Sequence, residues 1–398
     1  MLRIFVFIVA LAAGLLRPIM AADAVHAHGG MSGDRSAQTE LGAQAAFDAA
    51  GILWAAHKVS GHIAVSRSED RGRSWLNPVL VTPAPEPTDS GGDARPKITL
   101  GPDGEIYVTW TKPLTKPYTG EIKLSRSLDG GRTFSAPAVV HRDRQEITHR
   151  FDSVAVNGKG QVFVAWIDKR DLVAAAVAKA PAYRGAAVYF AVSDDRGATF
   201  RGDFKVADHS CECCRISLVC HGDGSVSAMW RHIFEPNIRD HAIAQLFADG
   251  KAGPTRRASF EDWRIDACPH HGPTLAEGTS HRLHAVWFSG APQNQGVFYG
   301  RLREGGVDAR RRIGGEAAAH ADLAVLGSRV AVAWKEFDGE RTRLRGMLSN
   351  DGGENWQDFE LAATPGPSDQ PRVLALGERF YVFWNTRDQP LLVSSFPP

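Results

Sequence analysis

The chain has 398 residues, of which 43% are hydrophobic and 23% are charged, and its formal net charge is +1. This length and composition are typical of a folded protein with one large core or two small ones. Nearly equal numbers of acidic and basic residues exclude the strongly positive surface that nucleic-acid-binding proteins use, so we expect no nucleic-acid partner.

The amino terminus has the pattern of a secretory signal peptide over residues 1–23. An apolar run at 4–16 follows Arg3, and small residues follow at Ala21 and Ala22. The run is too short to span a bilayer comfortably, although an uncleaved anchor is the alternative. We therefore expect a periplasmic or secreted protein with no stable membrane insertion after cleavage.

Two regions follow the predicted signal peptide. Residues 24–39 are predicted to be a flexible segment, and its His26, His28 and Met31 have the composition of a copper-binding tract. The alternative is a disordered tail without a ligand. Residues 40–398 are predicted to form a single domain, which we expect to be monomeric.

A strand-rich segment that ends in tryptophan recurs along this domain. EIYVTW, QVFVAW and RVAVAW are examples, and GILWAAH is a shifted first copy. Neighbouring copies are roughly 50 residues apart, which is the length of a four-stranded propeller blade. Alternating Val, Ile and aromatic residues dominate, and helical periodicity is nearly absent. The sequence therefore predicts an all-β propeller of about seven four-stranded antiparallel blades, with six as the alternative. The repeated tryptophans are Trp110, Trp166, Trp230, Trp287, Trp334 and Trp384.

A second motif recurs in the turn between the third and fourth strands of a blade. Its four copies are SEDRGRSW at 68–75, SLDGGRTF at 127–134, SDDRGATF at 193–200 and SNDGGENW at 349–356. The Asp carboxylate can accept the N–H groups of the turn, Gly supplies a left-handed conformation, and the aromatic side chain packs between strands.

These turns are Asp-boxes, and residues 40–398 resemble the sialidase superfamily of Asp-box (BNR-repeat) propellers. The resemblance implies a propeller with its site on the face opposite the Asp-boxes. Asp70, Asp129, Asp195 and Asp351 are therefore expected to have a structural role. The sialidase enzymes usually have six blades, whereas seven inner strands are counted here.

Ligands of propellers usually bind at the axial mouth, on the face where the inner strands start. Aligning the repeats places polar residues from several blades in one ring at this mouth. A structural core would need apolar side chains there, so this ring is the predicted functional site. A solvated channel entrance tied together by disulfides is the alternative. The position of Asp93 is matched by Glu40, His149, Cys213, His270, Ala319 and Asp369. The next position holds Leu41, Ala94, Arg150, Cys214, His271, His320 and Gln370, and the one after it holds Arg95, Phe151, Arg215 and Gly272.

The loops between the second and third strands add polar groups to this face. An alanine-rich insertion that ends near residue 186 is a candidate lid over the mouth. Solvated surface is the alternative for each charged residue of these loops. They are Asp168, Lys169, Arg170 and Asp171, then Arg231, His232, Glu235, Asn237, Arg239 and Asp240, and finally Lys335 and Glu336.

The resemblance implies the sialidase chemistry: three arginines on the substrate carboxylate, an Asp as acid and base, and a Tyr nucleophile activated by Glu. The sequence departs from this pattern, because the F/Y-Arg-Ile-Pro motif is absent and no Tyr has an evident Glu partner at the mouth. ARPKI at 94–98 is the nearest match. The candidate catalytic residues are Arg95, Arg150, Asp152, Arg215, Arg239 and Asp240, with Arg372 and Asp168 as further candidates.

Cysteine and histidine in the same ring support a second hypothesis, a metal site. HSCECCR at 209–215 and ACPHHGP at 267–273 occupy the same level of adjacent blades. Thiolate and imidazole ligands together suit copper or zinc. The candidate ligands are Cys211, Cys213, Cys214, Cys268, His270, His271, His149 and His320.

Disulfide bonds are a third hypothesis for these cysteines in an exported protein. Cys213 and Cys214 are expected to alternate across a strand, so that at most one faces the neighbouring blade. Cys268 could pair with either one. Cys220 ends the apolar run ISLVC and is expected to be a buried, inert thiol.

The combination of C-x-C-C-R-x-S, N-x-R-D at 237–240 and DWRIDACPHHGP at 262–273 resembles a subgroup of bacterial sialidase-like proteins. They are commonly labelled exo-α-sialidase by fold alone, so the resemblance does not supply a reaction. We therefore expect an exported propeller that binds a small molecule or glycan at its mouth, with hydrolysis left open. The alternatives are a copper- or zinc-binding protein and a non-catalytic interaction propeller.

Overall fold

The structure is a computed structural model that describes residues 41–179, 183–267 and 269–397. The predicted signal peptide, the segment at 24–39, Glu40 and Cys268 lie outside these residues, so the predictions made on them stay predictions.

Seven antiparallel sheets follow one another along the chain, and each is built from consecutive strands. The first blade contains β1 (Gln44–Phe47), β2 (Leu53–Val59), β3 (His62–Ser68) and β4 (Val79–Leu80). The second contains β5 (Lys97–Leu100), β6 (Ile106–Pro113), β7 (Gly120–Ser127) and β8 (Ala138–Val139). The third contains β9 (His149–Val156), β10 (Val162–Asp168), β11 (Ala186–Ser193) and β12 (Arg201–Ser210), with the helix α1 (Arg170–Val177) between β10 and β11.

The remaining four blades repeat this order. The fourth contains β13 (Ser217–Cys220), β14 (Val226–Arg231), β15 (His241–Leu246) and β16 (Arg256–Arg257). The fifth contains β17 (Thr274–Glu277), β18 (Leu283–Ala291), β19 (Asn294–Arg303) and β20 (Gly306–Ile313). The sixth contains β21 (Ala318–Leu326), β22 (Arg329–Phe337), β23 (Thr342–Ser349) and β24 (Gln357–Thr364). The seventh has three strands, β25 (Arg372–Leu376), β26 (Arg379–Trp384) and β27 (Leu392–Ser395). Two short 3₁₀ turns lie at Gly92–Ala94 and Thr279–His281.

The first strands of the blades form a closed ring. Each of β1, β5, β9, β13, β17 and β21 contacts the first strand of the next blade, and β25 contacts β1. The predicted seven-bladed propeller is therefore confirmed, and the six-bladed alternative is wrong.

The tryptophans of the repeat explain how neighbouring blades hold together. Each lies on the second strand of its blade, and the exposed fraction of the six side chains is 0–3%. Trp166 of β10 packs in one cluster with Ile122 and Leu124 of β7, so the apolar core lies between adjacent blades. Burying a large apolar side chain of this kind stabilises the fold by about 1.5–3 kcal/mol.

The Asp-box turns share one set of hydrogen bonds. In the second blade, Asp129 Oδ1 accepts the N–H groups of Arg132 and Thr133 at 3.0 Å, and the Thr133 hydroxyl donates to Asp129 Oδ2 at 2.6 Å. The buried hydroxyl of Ser127 accepts the N–H of Gly131 at 2.9 Å and donates to Asp129 at 2.8 Å. These bonds explain why Ser, Asp, Gly and a Ser, Thr or Asn residue recur at fixed spacing.

Strand pairing places the Asp-boxes on the face away from the starts of the inner strands. In the first blade, Leu53 pairs with both Phe47, the last residue of β1, and Ser68, the first residue of the turn. Among the described residues, no helix is long and apolar enough to cross a membrane.

Candidate functional site

The inner strands start on the same face to which the loops between second and third strands return. His149, the first residue of β9, pairs with Asp168, the last residue of β10. In the fourth blade, Arg239 of such a loop reaches Cys211, with Nη1 3.8 Å from Sγ. The predicted mouth therefore contains the residues at the starts of the inner strands and the residues of the loops between second and third strands.

Arg215 connects its own blade, the fourth, to four others at this mouth. Its Nε donates to the Pro273 carbonyl at 3.1 Å, and its Nη1 donates to Asp93 at 2.9 Å and to Gln370 Oε1 at 2.8 Å. Its Nη2 donates to the Thr274 hydroxyl at 2.8 Å and to the Ala321 carbonyl at 3.0 Å. All five N–H groups of the guanidinium are thus satisfied by the protein.

Asp93 is the anionic partner of Arg215, and only 3% of its surface is exposed. It also accepts the N–H of Gly272 at 2.8 Å and the N–H of Arg215 at 3.3 Å. Burial on its own would raise the pKa of Asp93, but the charge of Arg215 and the two N–H bonds outweigh it and lower the pKa to about 2. The carboxyl is therefore ionised at neutral pH.

Two histidines of the predicted ring stack on each other next to this ion pair. The rings of His271 and His320 are 4.3 Å apart and nearly parallel, and His271 also stacks on Phe288 at 4.1 Å. His320 Nδ1 lies 3.0 Å from Gln370 Nε2 and accepts from it. Burial lowers the pKa of His271 to about 4 and the pKa of His320 still further, so both imidazoles are neutral.

Arg95 occupies the mouth beside Arg215, and 5% of its surface is exposed. Among the described residues its guanidinium donates one hydrogen bond, from Nη1 to the Gln370 carbonyl. Burial lowers the pKa of Arg95 to about 10. Burial also lowers the pKa of Lys335, and the charge of Arg95 adds to this, so that its pKa is about 8. Arg95 is thus a buried cation with most of its donors unsatisfied by the described protein groups.

Nine charged side chains interact around Arg95. The cations are Arg95, Lys97, Arg215, Lys335 and Arg372, and the carboxylates are Asp93, Asp152, Asp322 and Asp369. Burial lowers the pKa of Lys97, and its Nζ donates to the Asp93 carbonyl at 3.0 Å. Acidic and basic side chains are therefore interleaved around Arg95 at the mouth.

Two of these carboxylates join blades. Asp369 accepts the N–H groups of Gly42 and Ala43 at 2.8 Å, which connects the seventh blade to the first. Asp322 accepts the Thr274 hydroxyl at 2.8 Å and the N–H of Val373 at 2.7 Å. Asp322 and the buried Lys97 were missed by sequence reasoning, although their place on inner strands was a signal that could have found them.

The other predicted catalytic residues lie in separate contacts. Asp152 is fully buried and accepts the hydroxyls of Thr109 at 2.6 Å and Thr111 at 3.1 Å. Arg150 is half-buried, and its Nε donates to Asp89 at 2.9 Å.

In the fourth blade, Arg239 donates from Nε to Asn237 at 3.3 Å. Asp240 accepts the N–H of Asp262 at 3.0 Å and is ion-paired with Arg257. The structure thus brings Arg95 and Arg215 together and does not bring Arg150 or Asp240 into the same network of hydrogen bonds.

Three of the predicted metal ligands form one buried cluster. The Sγ atoms of Cys211, Cys213 and Cys214 all lie within 4.8 Å of one another, and each side chain is less than 5% exposed. The prediction that Cys213 and Cys214 alternate across a strand is wrong, because residues 211–216 form a turning segment between β12 and β13. In such a segment consecutive side chains can face one site.

The thiols of this cluster influence one another. Cys211 Sγ and Cys213 Sγ are 3.8 Å apart, well beyond the length of about 2.05 Å for a disulfide bond. The hydrogen bond with Cys211 is the main cause that raises the pKa of Cys214, and burial adds to it. The predicted bridge to Cys268 lies outside the described residues. Cys220 is a separate thiol whose pKa is raised to about 12 by burial, as expected of an inert cysteine.

The histidine candidates are not in the cysteine cluster. His149 is fully buried in the third blade and stacks on His141 at 3.9 Å, with Nε2 at 3.6 Å from both Asp143 and Asp168. His270 is exposed. His271 and His320 belong to the stack beside Asp93.

Another histidine lies near the cysteines and was missed. His241 of β15 is completely buried, and its Nδ1 is 3.2 Å from the Ser259 hydroxyl. Its Nε2 has no hydrogen-bond partner among the described groups. Burial lowers the pKa of His241 most, the charge of Arg231 lowers it further, and Cys211 opposes both. The sequence HAIAQL carries no local signal for a ligand.

The start of the predicted lid is anchored by polar contacts. It contains α1, whose Arg170 donates to Asp168 at 2.7 Å and to Asp203 at 2.7 Å. The Tyr189 hydroxyl donates to Asp171 at 2.8 Å, and Lys169 is ion-paired with Glu212. The first residues of α1 are therefore held against the third blade.

Comparison with known proteins identifies the fold. No protein-family model matches this chain, and no curated protein matches it. A polysaccharide lyase, an ulvan lyase solved with a GlcA(1-4)Rha3S ligand, is 10% identical, with a TM-score of 0.54 over 88% of this chain and 90% of that chain. The α-L-arabinanase of Penicillium chrysogenum, solved with arabinobiose, is 12% identical, with a TM-score of 0.52 over 76% of this chain and 92% of that chain.

A mutant of the NanB sialidase from Streptococcus pneumoniae is 10% identical, with a TM-score of 0.47 over 77% of this chain and 67% of that chain. This chain shares its fold with the ulvan lyase and the arabinanase. At such low identity the similarity shows the fold alone.

Proposed function

We propose that the protein binds an acidic carbohydrate at the mouth of the propeller and that Arg95 is the main contact for its carboxylate. The observation that carries the proposal is the buried Arg95 guanidinium, which donates a single hydrogen bond within the described part of the chain. A carboxylate binds a guanidinium through two parallel hydrogen bonds. An acidic sugar would therefore satisfy donors that the described protein groups leave open.

The contacts of Arg95 support an anionic ligand. Its guanidinium donates to the Gln370 carbonyl, and among the described residues no carboxylate is hydrogen-bonded to it. Arg215 is held by five hydrogen bonds within the protein, so in this proposal it positions the mouth and does not contact the ligand.

The fold supports a carbohydrate as the ligand class. The ulvan lyase that shares this fold was solved with a ligand containing GlcA, an acidic sugar, and the arabinanase with arabinobiose. A glycan with a carboxylate group combines the ligand type of these proteins with the charge that the mouth of this propeller favours.

Binding without hydrolysis is the activity that the carboxylates favour. Both oxygens of Asp152 accept hydroxyl hydrogens from buried threonines, and Asp240 is occupied by Arg257 and by the N–H of Asp262. Neither carboxyl is placed as a general acid with a proton to give. We further propose that the protein is exported, which its amino-terminal sequence supports.

The proposal is tested by calorimetric titration of the full chain with glucuronate-containing and sialylated oligosaccharides and with neutral oligosaccharides of the same length. We expect the acidic ligands to bind more tightly. Arg95→Lys keeps the charge but loses the bidentate contact, so the affinity should fall by at least about tenfold, the equivalent of about 1.5 kcal/mol.

The matched control is Arg132→Ala, which removes an exposed arginine from an Asp-box turn on the opposite face and should leave the affinity unchanged. Thermal melting confirms that both variants are folded. Equal affinity for acidic and neutral ligands, or an unchanged affinity in Arg95→Lys, would contradict the proposal. Release of fluorophore from a fluorogenic sialoside by the wild-type protein would contradict the absence of hydrolysis.

A further inference from the structure

We infer that Cys211, Cys213 and Cys214 form a binding site for one thiophilic d¹⁰ metal ion, Cu(I) or Zn(II). This site is separate from the proposed carbohydrate contact at Arg95. Its basis is the convergence of three buried sulfur atoms within 4.8 Å, which is the one group of three or more metal-ligating side chains found among the described residues.

The spacing of the sulfurs fits metal coordination. A bond of about 2.3 Å from each thiolate to one ion, at tetrahedral or trigonal angles, places the sulfurs about 3.8–4.0 Å apart. Cys211 Sγ and Cys213 Sγ are 3.8 Å apart, and the third sulfur lies within 4.8 Å of both. Rotating one side chain so that its sulfur moves by at most about one ångström brings all three sulfurs to the spacing that one ion requires.

The backbone around the cysteines is held in place. The N–H of Cys211 donates to the Arg231 carbonyl at 2.9 Å, and the Ser210 hydroxyl donates to the Cys211 carbonyl at 3.0 Å. At the other end, the N–H of Arg215 donates to Asp93. A segment fixed at both ends keeps three ligands together without a metal, which reduces the entropy that binding must overcome.

Two arginines supply the charge that such a site requires. Three thiolates and one Cu(I) ion carry a net charge of −2, and burying that charge is costly unless it is paired. Arg239 Nη1 lies 3.8 Å from Cys211 Sγ. Arg231 is 1% exposed and lies next to the cluster, since its carbonyl accepts the N–H of Cys211 at 2.9 Å. Three soft thiolate ligands without a carboxylate in the cluster suit Cu(I), which favours Cu(I) over Zn(II).

His241 is a second, independent observation next to the cysteines. Its ring is completely buried, Nδ1 lies at the Ser259 hydroxyl, and Nε2 is unpartnered among the described groups. An imidazole held at one nitrogen with the other one open is the arrangement of metal-ligating histidines. His241 is not within the 4.8 Å cluster, but it pairs with Arg231, whose carbonyl accepts the N–H of Cys211, so we assign it as the nearest candidate for a fourth ligand.

Binding exchanges protons for the metal ion. Each thiol loses its proton to the solvent and forms one sulfur–metal bond, so three protons are released for each ion. No electron is transferred when copper is supplied as Cu(I).

The test uses the full chain, purified and reduced under anaerobic conditions. Cu(I) affinity is measured by competition with a chromogenic Cu(I) chelator, and Zn(II) affinity by competition with a chromogenic Zn(II) chelator. We expect one ion per chain, with Cu(I) bound more tightly. Cys211→Ser and Cys214→Ser should each lower the affinity by more than about 100-fold, beyond the effect of losing a ligand's outer partner. His241→Ala should lower the Zn(II) affinity.

Cys220→Ser is the matched control, because it replaces a half-buried cysteine outside the cluster and should leave the affinity unchanged. X-ray absorption at the copper edge should show three sulfur scatterers at about 2.3 Å. This measurement needs no variant, so it remains decisive if a serine variant fails to fold. Absence of stoichiometric binding, equal affinity in Cys211→Ser and Cys220→Ser, or cluster cysteines that resist reduction as disulfides would each overturn the inference.

Discussion

Arg215 and Asp93 form an ion pair of 2.9 Å between blades that are separated by more than 120 residues of sequence. The pair is nearly closed to solvent, with side-chain exposures of 12% and 0%. The same guanidinium also contacts the fifth, sixth and seventh blades through Thr274, Ala321 and Gln370. One side chain therefore ties its own blade, the fourth, to four others at the mouth of the propeller.

This geometry predicts a large effect of Arg215→Ala on stability. The substitution leaves the Asp93 carboxylate buried without its counter-ion, so the free energy of unfolding should fall by about 3–5 kcal/mol. Urea unfolding followed by tryptophan fluorescence measures the loss. Arg303→Ala is the control, because its ion pair with Asp308 is more than half exposed and should contribute about 1 kcal/mol or less. If Arg215→Ala costs as much in an Asp93→Asn background as in the wild type, the two residues are not coupled.

A substitution at Gly272, which lies against Arg215, should also affect stability. A Cβ atom at this position would lie 2.3 Å from Arg215 Cγ and 2.8 Å from the Arg215 backbone nitrogen. Because a backbone atom cannot move aside, Gly272→Ala should separate the fourth and fifth blades and reduce the free energy of unfolding by about 1–3 kcal/mol. Gly222→Ala is the control, since no atom lies within 4 Å of its Cβ. Equal melting temperatures for the two variants would contradict the close approach.

The repeat made most of the architecture predictable. Tryptophan strands and Asp-boxes recur with fixed spacing, so the number of blades and the level of Asp93, Arg215 and Gln370 in the ring followed from aligning the copies. The contacts did not follow, because an alignment gives the height of a residue in the channel but not which side chain across the channel it meets. The five hydrogen bonds of Arg215 depend on the curvature of the closed ring.

The cysteine cluster shows where strand periodicity fails. Cys213 and Cys214 were expected on opposite sides of a strand, but residues 211–216 turn before β13 begins and bring both sulfurs to one point. His241 was not identified, because it lies on a third strand that reads as ordinary core. Local sequence patterns indicate how side chains alternate along a strand, but they do not indicate where a connecting segment bends.

The Asp-box serines predict a stability effect that is independent of the mouth. In Ser127→Ala the buried N–H of Gly131 loses its acceptor, which should reduce the free energy of unfolding by about 1–3 kcal/mol. Ser328→Ala, at an exposed hydroxyl, should have little effect. Because the turn lies on the face away from the mouth, Ser127→Ala should keep the wild-type affinity for acidic oligosaccharides. A loss of affinity along with the loss of stability would contradict a ligand site at the mouth.

The buried histidines predict that the protein is less stable in mild acid. Burial lowers the pKa of His284 to about 4, and the charges of Arg301 and Arg282 contribute. A histidine in the unfolded chain has a pKa of about 6.5. As pH falls from about 6.5 towards 4, the unfolded chain takes up a proton that the folded protein does not, so a contribution to stability that is complete above pH 6.5 is lost.

Urea unfolding at several pH values between 7 and 5 measures this loss, which should be about 1–2 kcal/mol for His284 alone over that range. The His284→Gln variant cannot take up the proton, so its free energy of unfolding should change less with pH, even though its stability at pH 7 is lower because the contact with Tyr299 is lost. His281→Gln is the control, because that side chain is 82% exposed and is solvated in both states. Parallel pH curves for the wild type and His284→Gln would show that His284 is protonated equally in the folded and unfolded chains.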